Sequence, residues 1–360
     1  MKGKMLAVIG AQYGSEGKGV IVSAIADKFN MHVRVGSPNA GHTFFAFGQK
    51  HVMQSIPCGW MNPKAVICIG RGALINIAQL VKEINHIKQF FPDFTQRLII
   101  DNKAGVLDER FHQQEGGVHG EMHKRIGSTG EGVGPARVAR INRDPDAFYH
   151  FGDVAEKCGL EMCVADNTPA IIAHYQDAGH NILLEGTQGS ALSLLHGSWP
   201  YVTSIDTNAA QILAETGIAP NRLTDVMLVA RTYPIRVAGN SGPMYKETTW
   251  EEVSRLAGRP VEEKTTVTKK VRRVALWDPD LIKQAVLLND PTCLALTFTD
   301  YVDPDLYGTK SIEDVMNSGL LMQFISKQVY PACPKTPIYM VGTGGPEFST
   351  VVVNEDALQI

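Results

Sequence analysis

The sequence has few of the features that mark secreted, membrane-bound or nucleic-acid-binding proteins. It has six cysteines, and their spacing matches no zinc-binding pair, so buried free thiols are expected. No stretch reaches the ~18 apolar residues of a membrane span, and glycine interrupts the N-terminal segment too early for a signal peptide. The formal net charge of -3 gives no general reason to bind nucleic acid or membrane. We therefore predict a cytoplasmic protein with neither partner.

Internal repeats, low-complexity tracts and Pro/Ser-rich linkers are also lacking, which argues against separate domains. Hydrophobic residues make up 44% of the chain, enough for a large core. We predict one domain over residues 1–360, with two long excursions at about 108–143 and 261–273. Long irregular loops in compact proteins are usually functional or disordered.

Short apolar runs of strand length do recur along the chain, each ending in glycine or polar residues. They read MLAVIG, AVICIG, RLIID, NILLEG, DVMLVAR, CLALTFTD and PIYMVGTG. Continuous apolar runs of this length are typical of strands buried on both faces of a parallel sheet. Helical patterns such as VIVSAIADKF and NIAQLVKEINHIKQF lie between them. The alternation predicts an α/β fold, with a central, mostly parallel sheet flanked by helices and its ligands at the carboxyl ends of the strands.

The loop GAQYGSEGKG follows the first of these runs and is close to a Walker A motif. Gln12 stands where that motif has its first glycine, and Gly19 stands where it has a magnesium-binding hydroxyl, so an ordinary P-loop NTPase is disfavoured. Its glycines still let backbone N–H groups converge, Lys18 adds a cation, and a helix is predicted to follow. These features favour a phosphate site over a plain glycine-rich turn.

A second cluster, GSPNAGHTF, offers an amide, an imidazole and a hydroxyl from Asn39, His42 and Thr43. The pair formed by the glycine loop and this NAGHT segment resembles the adenylosuccinate synthetase family, which joins aspartate to a 6-oxopurine nucleotide. The ordered motifs GSTGEGVGPA, EGTQG, HGSWPYVTS, TVTKKVRRVA and VGTGGPE extend the resemblance over nearly the whole chain.

The resemblance implies a carbon–nitrogen ligase with three substrate sites. Phosphoryl transfer from a triphosphate would activate O6 of the purine, and the aspartate amine would then displace phosphate; such chemistry depends on alignment and charge neutralisation. The catalytic residues would be Ser15, Lys18 and His42, with Mg²⁺ held at Ser15 and by the Gly41 carbonyl. The purine monophosphate site would comprise Ser15, Asn39, Thr129, Arg140, Gln188 and Thr203.

The other two sites follow from the remaining motifs. The aspartate site would comprise Thr266, Thr268, Lys270 and Arg272. The triphosphate site would comprise Gly14, Glu16, Gly17, Lys18, Gly19, Thr43, Asp300, Gly342, Gly345 and Pro346. The resemblance also implies a homodimer in which Arg140 reaches the active site of the neighbouring subunit.

Three positions depart from the family pattern. Ser15 replaces an aspartate that takes the N1 proton of IMP and ligates Mg²⁺ in the family; serine is a poor base and lacks the charge of a carboxylate ligand. Phe298 replaces the lysine of the K-x-D motif that reads guanine in GTP, so ATP or dATP becomes an alternative donor. Lys270 replaces an arginine, so a compact ammonium stands where the family has a planar guanidinium that can pair with a carboxylate at two points.

Ser15 bears most directly on the substrate. A group that touches N1 of the purine lies beside C2, so an aspartate would crowd a 2-amino substituent, whereas serine can accept a hydrogen bond from it. This loop resembles that of the phage 2-aminoadenylosuccinate synthases, which act on dGMP for diaminopurine DNA. We therefore expect dGMP as the purine and, for a phage-encoded chain, the host cytoplasm as its location.

Two other interpretations remain open. One is an adenylosuccinate synthetase that uses IMP and GTP, and the other is a non-catalytic nucleotide-binding relic of the fold. The general base is also open: with the loop aspartate gone, the candidates are Glu16, a water molecule and the substrate itself.

Overall fold

A computed structural model of the protein describes residues 2–265 and 270–360. Ten strands in these ranges form one sheet, in the spatial order β17-β16-β15-β11-β1-β10-β2-β5-β7-β9. Their bounds are β1 Met5–Gly10, β2 Met31–Arg34, β5 Val66–Ile69, β7 Leu98–Asp101, β9 Val164–Ala165, β10 Ile182–Glu185, β11 Asp225–Arg231, β15 Cys293–Thr297, β16 Ile338–Gly344 and β17 Ser349–Val352.

The smaller strands form three further sheets among the described residues. They are β3 His42–Ala46 with β4 Gln49–Met53, β6 Leu74–Ile75 with β8 Gly105–Val106, and β12 Ile235–Arg236 and β13 Glu247–Thr248 on either side of β14 Arg273–Ala275. The helices are α1 Lys18–Ala24, α2 Ile77–Ile87, α3 Glu109–Glu115, α4 Glu121–Ile126, α5 Val133–Asn142, α6 Phe151–Val154, α7 Thr168–Asp177, α8 Ala209–Thr216, α9 Trp250–Leu256, α10 Pro279–Asn289, α11 Ile312–Asn317 and α12 Gly319–Phe324.

The ten-stranded sheet is parallel from β16 to β9, and β17 pairs antiparallel with β16. The seven apolar runs of the sequence all form strands of this sheet. The mostly parallel sheet flanked by helices confirms the predicted fold class.

Side chains of β1 alternate between two hydrophobic cores, one on each face of the sheet. Leu6 and Val8 belong to the core that includes residues of α1 and α2. Met5, Ala7 and Ile9 belong to the core that includes residues of α8 and α10. Burial on both faces explains why the central strands read as continuous apolar runs.

The excursion at 108–143 differs from the irregular loop that the sequence predicts. It contains α3, α4 and α5, and Phe111, Val133 and Ala136 join a small separate core with Leu107 and Phe148. Each helix is short, and left-handed glycines flank them, so no long apolar period appears in the sequence.

The structure bears on two expectations about composition. The six cysteines are unpaired, and all but the half-buried Cys158 are buried. No helix in the described ranges combines the length and apolar character that crossing a membrane requires.

Candidate active site

The glycine loop connects β1 to α1 at the carboxyl edge of the sheet. Gly17 caps α1 in the left-handed region, with φ 87°. Gly19 lies against β3, because a Cβ there would come within 2.8 Å of the Thr43 carbonyl oxygen and 3.0 Å of His42 Cβ. The missing hydroxyl of the Walker motif therefore has a packing reason, since only glycine lets α1 approach the strand that carries His42.

Glu16 forms the interior of this loop. Its side chain is fully buried, and Oε1 accepts hydrogen bonds from the backbone N–H groups of Gln12 at 3.0 Å and Gly14 at 2.8 Å. Its Oε2 accepts from Lys18 Nζ at 2.7 Å. The carboxylate therefore shapes the loop from inside, and a role for Glu16 in the triphosphate site stays a prediction.

Lys18 is buried between the loop and a second segment. Its ammonium donates to Glu16 and to the main-chain carbonyl of Gln188. Gln188 has φ 53°, and its Nε2 donates to Asn39 Oδ1 at 3.2 Å. Because an ammonium has three N–H donors, one remains for a ligand. The structure thus brings Lys18, Gln188 and Asn39 together.

His42 begins β3, and Glu185 at the end of β10 holds its imidazole. The distance from Nδ1 to Glu185 Oε1 is 2.5 Å, and both groups are buried. Arg34 donates to the same carboxylate oxygen at 3.1 Å and to the Ala40 carbonyl at 2.6 Å. The Cys58 backbone N–H donates to Glu185 Oε2 at 2.7 Å. The orientation of His42 is therefore fixed by a carboxylate that is itself held by Arg34 and by the Cys58 N–H.

Burial and the neighbouring Arg34 lower the pKa of His42 to about 4. Burial raises the pKa of Glu185, but the hydrogen bond from His42 and the charge of Arg34 outweigh it and bring the value to about 2. The pair is thus a neutral imidazole beside an ionised carboxylate. Nδ1–H donates a hydrogen bond to Glu185, which leaves the Nε2 lone pair free to take up a proton.

The residues predicted to bind the base of the donor nucleotide lie together at the ends of β15 and β16. Asp300 is buried, its Oδ2 is paired with Arg259, and its Oδ1 has no partner among the described residues. Burial raises the pKa of Asp300 to about 6, and Arg259 opposes that rise. The Asp300 carboxylate lies directly against Gly344 of the C-terminal glycine segment. Phe298 adopts a left-handed conformation, with φ 58°.

A hairpin stem carries the described part of the predicted aspartate loop. Lys264 and Val271 form an antiparallel bridge, and Thr265 N–H donates to the Lys270 carbonyl at 2.9 Å. Arg272 N–H donates to the Glu263 carbonyl at 2.8 Å. Thr266 and Thr268 lie outside the described residues.

Comparison with known proteins identifies the family. The sequence model described as adenylosuccinate synthetase matches residues 7–155 and 145–306. The adenylosuccinate synthetase of Methanococcus aeolicus is 35% identical over 348 residues, which are 94% of this chain and 96% of the relative. That of Methanococcus maripaludis strain C5 is 38% identical over 322 residues, or 87% and 89% of the two chains.

The chain belongs to the adenylosuccinate synthetase family. It is accordingly a carbon–nitrogen ligase of the adenylosuccinate synthetase type, as the resemblance predicts.

Two solved structures share the fold. The succinoaminodeoxyadenylate synthetase of cyanophage S-2L, bound to dGMP and dATP, has a TM-score of 0.79 and 26% identity, covering 96% of this chain and 93% of that one. The adenylosuccinate synthetase of Plasmodium falciparum has a TM-score of 0.81 at 20% identity, covering 97% and 100%. At 20% identity, the similarity to the Plasmodium falciparum structure supports the fold alone.

Three further residues that the family resemblance predicts make no hydrogen bond to the group around Lys18. Thr129 and Thr203 lie in loops, and within the described ranges no hydrogen bond joins either to that group; the Thr203 N–H donates to the Leu192 carbonyl at 2.8 Å. Arg140 donates to the carbonyls of Arg71 and Lys103 of its own chain, each at 3.2 Å. The reach of Arg140 into a neighbouring subunit stays a prediction.

The two residues that the resemblance assigns to magnesium carry the oxygen donors that this ion prefers. Ser15 and Gly41 are exposed, and they offer a hydroxyl and a carbonyl oxygen. Mg²⁺ prefers such oxygens and commonly completes its shell with phosphate and water. A separate buried group, His42, Cys58 and Glu185, has its ligand atoms within 4.8 Å of one another. Its thiol and its Arg34 neighbour do not suit Mg²⁺.

Sequence reasoning missed five residues that build the site, namely Arg34, Glu185, Arg231, Arg259 and Glu263. Glu185 and Arg231 had a usable signal, because each is a charged residue at the end of an apolar strand run. At that place a parallel sheet presents its ligand-binding edge. Arg259 and Glu263 lie in loops, and the sequence carries no comparable signal for them.

Proposed function

We propose that the chain joins L-aspartate to C6 of dGMP with hydrolysis of a nucleoside triphosphate, giving N6-succino-2-amino-2'-deoxyadenylate. Ser15 is the observation that carries this proposal. Its side chain is exposed on the glycine loop, with φ 60°. A serine at the position that the family gives to the N1-contacting acid leaves room for a 2-amino group and can accept its hydrogen bond.

The similarity to the cyanophage enzyme supports this choice, because that protein is bound to dGMP, with dATP as energy donor. The 26% identity extends over nearly all of both chains. For the present chain we infer ATP or dATP as donor, with GTP as the alternative. Phe298 offers an aromatic face to any purine, and Arg259 already occupies one oxygen of Asp300.

In the first stage O6 of dGMP attacks the γ-phosphorus, the bond to the bridging oxygen breaks, and the N1 proton leaves. Lys18 and the loop N–H groups would hold the transferring phosphates. His42, oriented by Glu185, would donate to the phosphoryl oxygens as charge develops, once Nε2 takes up a proton beside the bound phosphates. The Glu16 carboxylate is turned inward, so we assign the N1 proton to water or to a phosphate oxygen.

In the second stage the aspartate amine attacks C6 and the bond from C6 to the phosphorylated oxygen breaks, releasing phosphate and, from the nitrogen, a proton. Lys270 and Arg272 would neutralise the two aspartate carboxylates together with Thr266 and Thr268. Asn39, Gln188, Thr129 and Thr203 would hold the monophosphate. Arg140 of a second copy would complete that site in a homodimer.

Magnesium fits the proposal as a partner of the triphosphate. Ser15 and the Gly41 carbonyl would hold it, and its chemistry would be to neutralise charge on the transferring phosphates. The remaining part of the triphosphate site would be Gly14, Gly17, Gly19, Thr43, Gly342, Gly345 and Pro346.

The second candidate is an adenylosuccinate synthetase acting on IMP. It is favoured by the relatives at 35–38% identity, which carry that name. Steady-state phosphate release with dGMP and with IMP, each with aspartate and ATP, dATP or GTP, separates the two. We expect turnover with dGMP; turnover with IMP alone would reject the proposal. Absence of aspartate-dependent release with either purine would favour the non-catalytic relic.

A further inference from the structure

Arg231 is the last residue of β11, at the carboxyl edge of the sheet, and its side chain is fully buried. The side-chain amide of Gln12 pairs with its main chain at two points. Arg231 N–H donates to Gln12 Oε1 at 3.0 Å, and Gln12 Nε2 donates to the Arg231 carbonyl at 3.0 Å. Gln12, one of the two residues that depart from the Walker motif, thus connects the glycine loop to β11.

The Arg231 guanidinium contacts three functional segments at once. Nη1 donates to the Ser15 carbonyl at 3.0 Å. Nη1 and Nη2 together pair with both carboxylate oxygens of Glu263. The guanidinium carbon lies 3.9 Å from the centre of the Phe298 ring. A planar guanidinium can pair with a carboxylate and stack on an aromatic ring at the same time, and a lysine ammonium cannot.

Glu263 links Arg231 to the hairpin that contains Lys270 and Arg272. Its side chain also accepts from the Tyr301 hydroxyl at 3.2 Å. Its main-chain carbonyl accepts from Arg272 N–H at 2.8 Å, at the base of the stem. A displacement of the Glu263 carboxylate would therefore shift the strand of the hairpin that carries Arg272.

We propose that Arg231 is a positioning residue that holds the aspartate hairpin in register with Ser15 of the glycine loop. The inference rests on the proposed assignment of that hairpin to aspartate. The Ser15 peptide is in a left-handed conformation that a serine adopts at some cost, and the hydrogen bond from Arg231 helps to hold it. One side chain thus fixes the carbonyl beside the purine-reading residue and the anchor of the aspartate-binding segment.

The test is a double-mutant cycle of Arg231→Lys, Glu263→Gln and the two combined, with KM and kcat measured for aspartate and for the purine. The purine is dGMP, or IMP if the wild-type chain turns over only IMP, so failure of the proposed substrate does not decide this test. Arg222→Lys is the matched control. It removes another two-point pair, to Asp177 at 3.0 and 2.9 Å, at the amino edge of the sheet.

We expect Glu263→Gln to raise the KM for aspartate about tenfold, as loss of a charge-assisted hydrogen bond would, with little change in the purine KM. Arg231→Lys should raise the KM for aspartate similarly and also lower kcat, because it releases the Ser15 carbonyl. The double variant should be no worse for aspartate than the worse single variant, since both changes break one connection. Arg222→Lys should leave all constants within about twofold.

Two results would overturn the inference. One is an aspartate KM that stays at the wild-type value in both single variants while their thermal midpoints fall, which would make the pair purely structural. The other is a multiplicative effect in the double variant, which would show that Arg231 and Glu263 act independently.

Discussion

Replacing Glu185 by glutamine tests whether this buried carboxylate organises the chemistry of His42. The isosteric change removes a charge that accepts hydrogen bonds from His42 at 2.5 Å and Arg34 at 3.1 Å. Leaving one member of a buried ion pair without its partner costs ~3–5 kcal/mol. Over 360 residues the entropy of unfolding is ~0.76 kcal/mol/K. A loss of ~3 kcal/mol therefore lowers the unfolding midpoint by about 4 °C.

The same change should also slow the reaction. A carboxamide no longer stabilises a protonated His42, so we expect kcat to fall about 100-fold, within the range of general acid–base contributions. Phosphate release at saturating substrates and thermal unfolding measure the two effects. Glu83→Gln is the control, because Glu83 is also a buried carboxylate, which accepts from three backbone N–H groups of residues 54–56. A kcat within about twofold of wild type for Glu185→Gln, at its lowered midpoint, would refute the reasoning.

The remaining predictions concern pH and packing. Burial lowers the pKa of His32 and His42 to about 4, whereas unfolded histidine titrates near 6.5. As the pH falls from about 6.5 toward 4, only the unfolded chain therefore takes up protons at these two residues. The free energy of unfolding, measured with urea, should therefore be ~2 kcal/mol lower per histidine at pH 5 than at pH 7. His32→Gln should make this difference smaller by ~2 kcal/mol. A variant with the same pH dependence as the wild-type chain would contradict the argument. Gly19→Ala should cost ~1–3 kcal/mol and lower kcat, because its Cβ would meet the Thr43 carbonyl at 2.8 Å. Gly319→Ala, whose Cβ meets nothing within 4 Å, should leave kcat unchanged, and equal kinetics for the two variants would refute the packing argument.

The sheet was predictable because its central strands are buried on both faces. β2 escaped prediction, since His32 and Arg34 interrupt its apolar pattern. Both side chains are nevertheless buried, His32 on the Ala26 carbonyl and Arg34 on Glu185. These hydrogen bonds let polar residues occupy a buried strand. Because the bonds depend on the tertiary fold, the sequence pattern shows only two polar residues and does not indicate a strand.

Local motifs predicted the glycine loop and the NAGHT segment, but not the contacts that hold them. The resemblance places Glu16 beside the triphosphate, whereas the folded loop needs its carboxylate to satisfy backbone N–H groups. Arg231 and Glu263 meet across 32 positions of sequence, and no short-range spacing reveals such a pair. Side-chain direction and long-range pairing are set by the tertiary fold, so the residue types of a site are easier to predict than its connections.

The most direct test of the account is the ratio of kcat/KM for dGMP to kcat/KM for IMP, in the wild-type chain and in Ser15→Asp. Aspartate tolerates the left-handed region better than most residues, so the φ of 60° at this position should survive the change. We predict that the wild-type chain prefers dGMP and that Ser15→Asp lowers the ratio about 100-fold, because the carboxylate crowds the 2-amino group and supplies the base that IMP requires. An equal ratio in the two proteins would contradict the claim that Ser15 selects the purine.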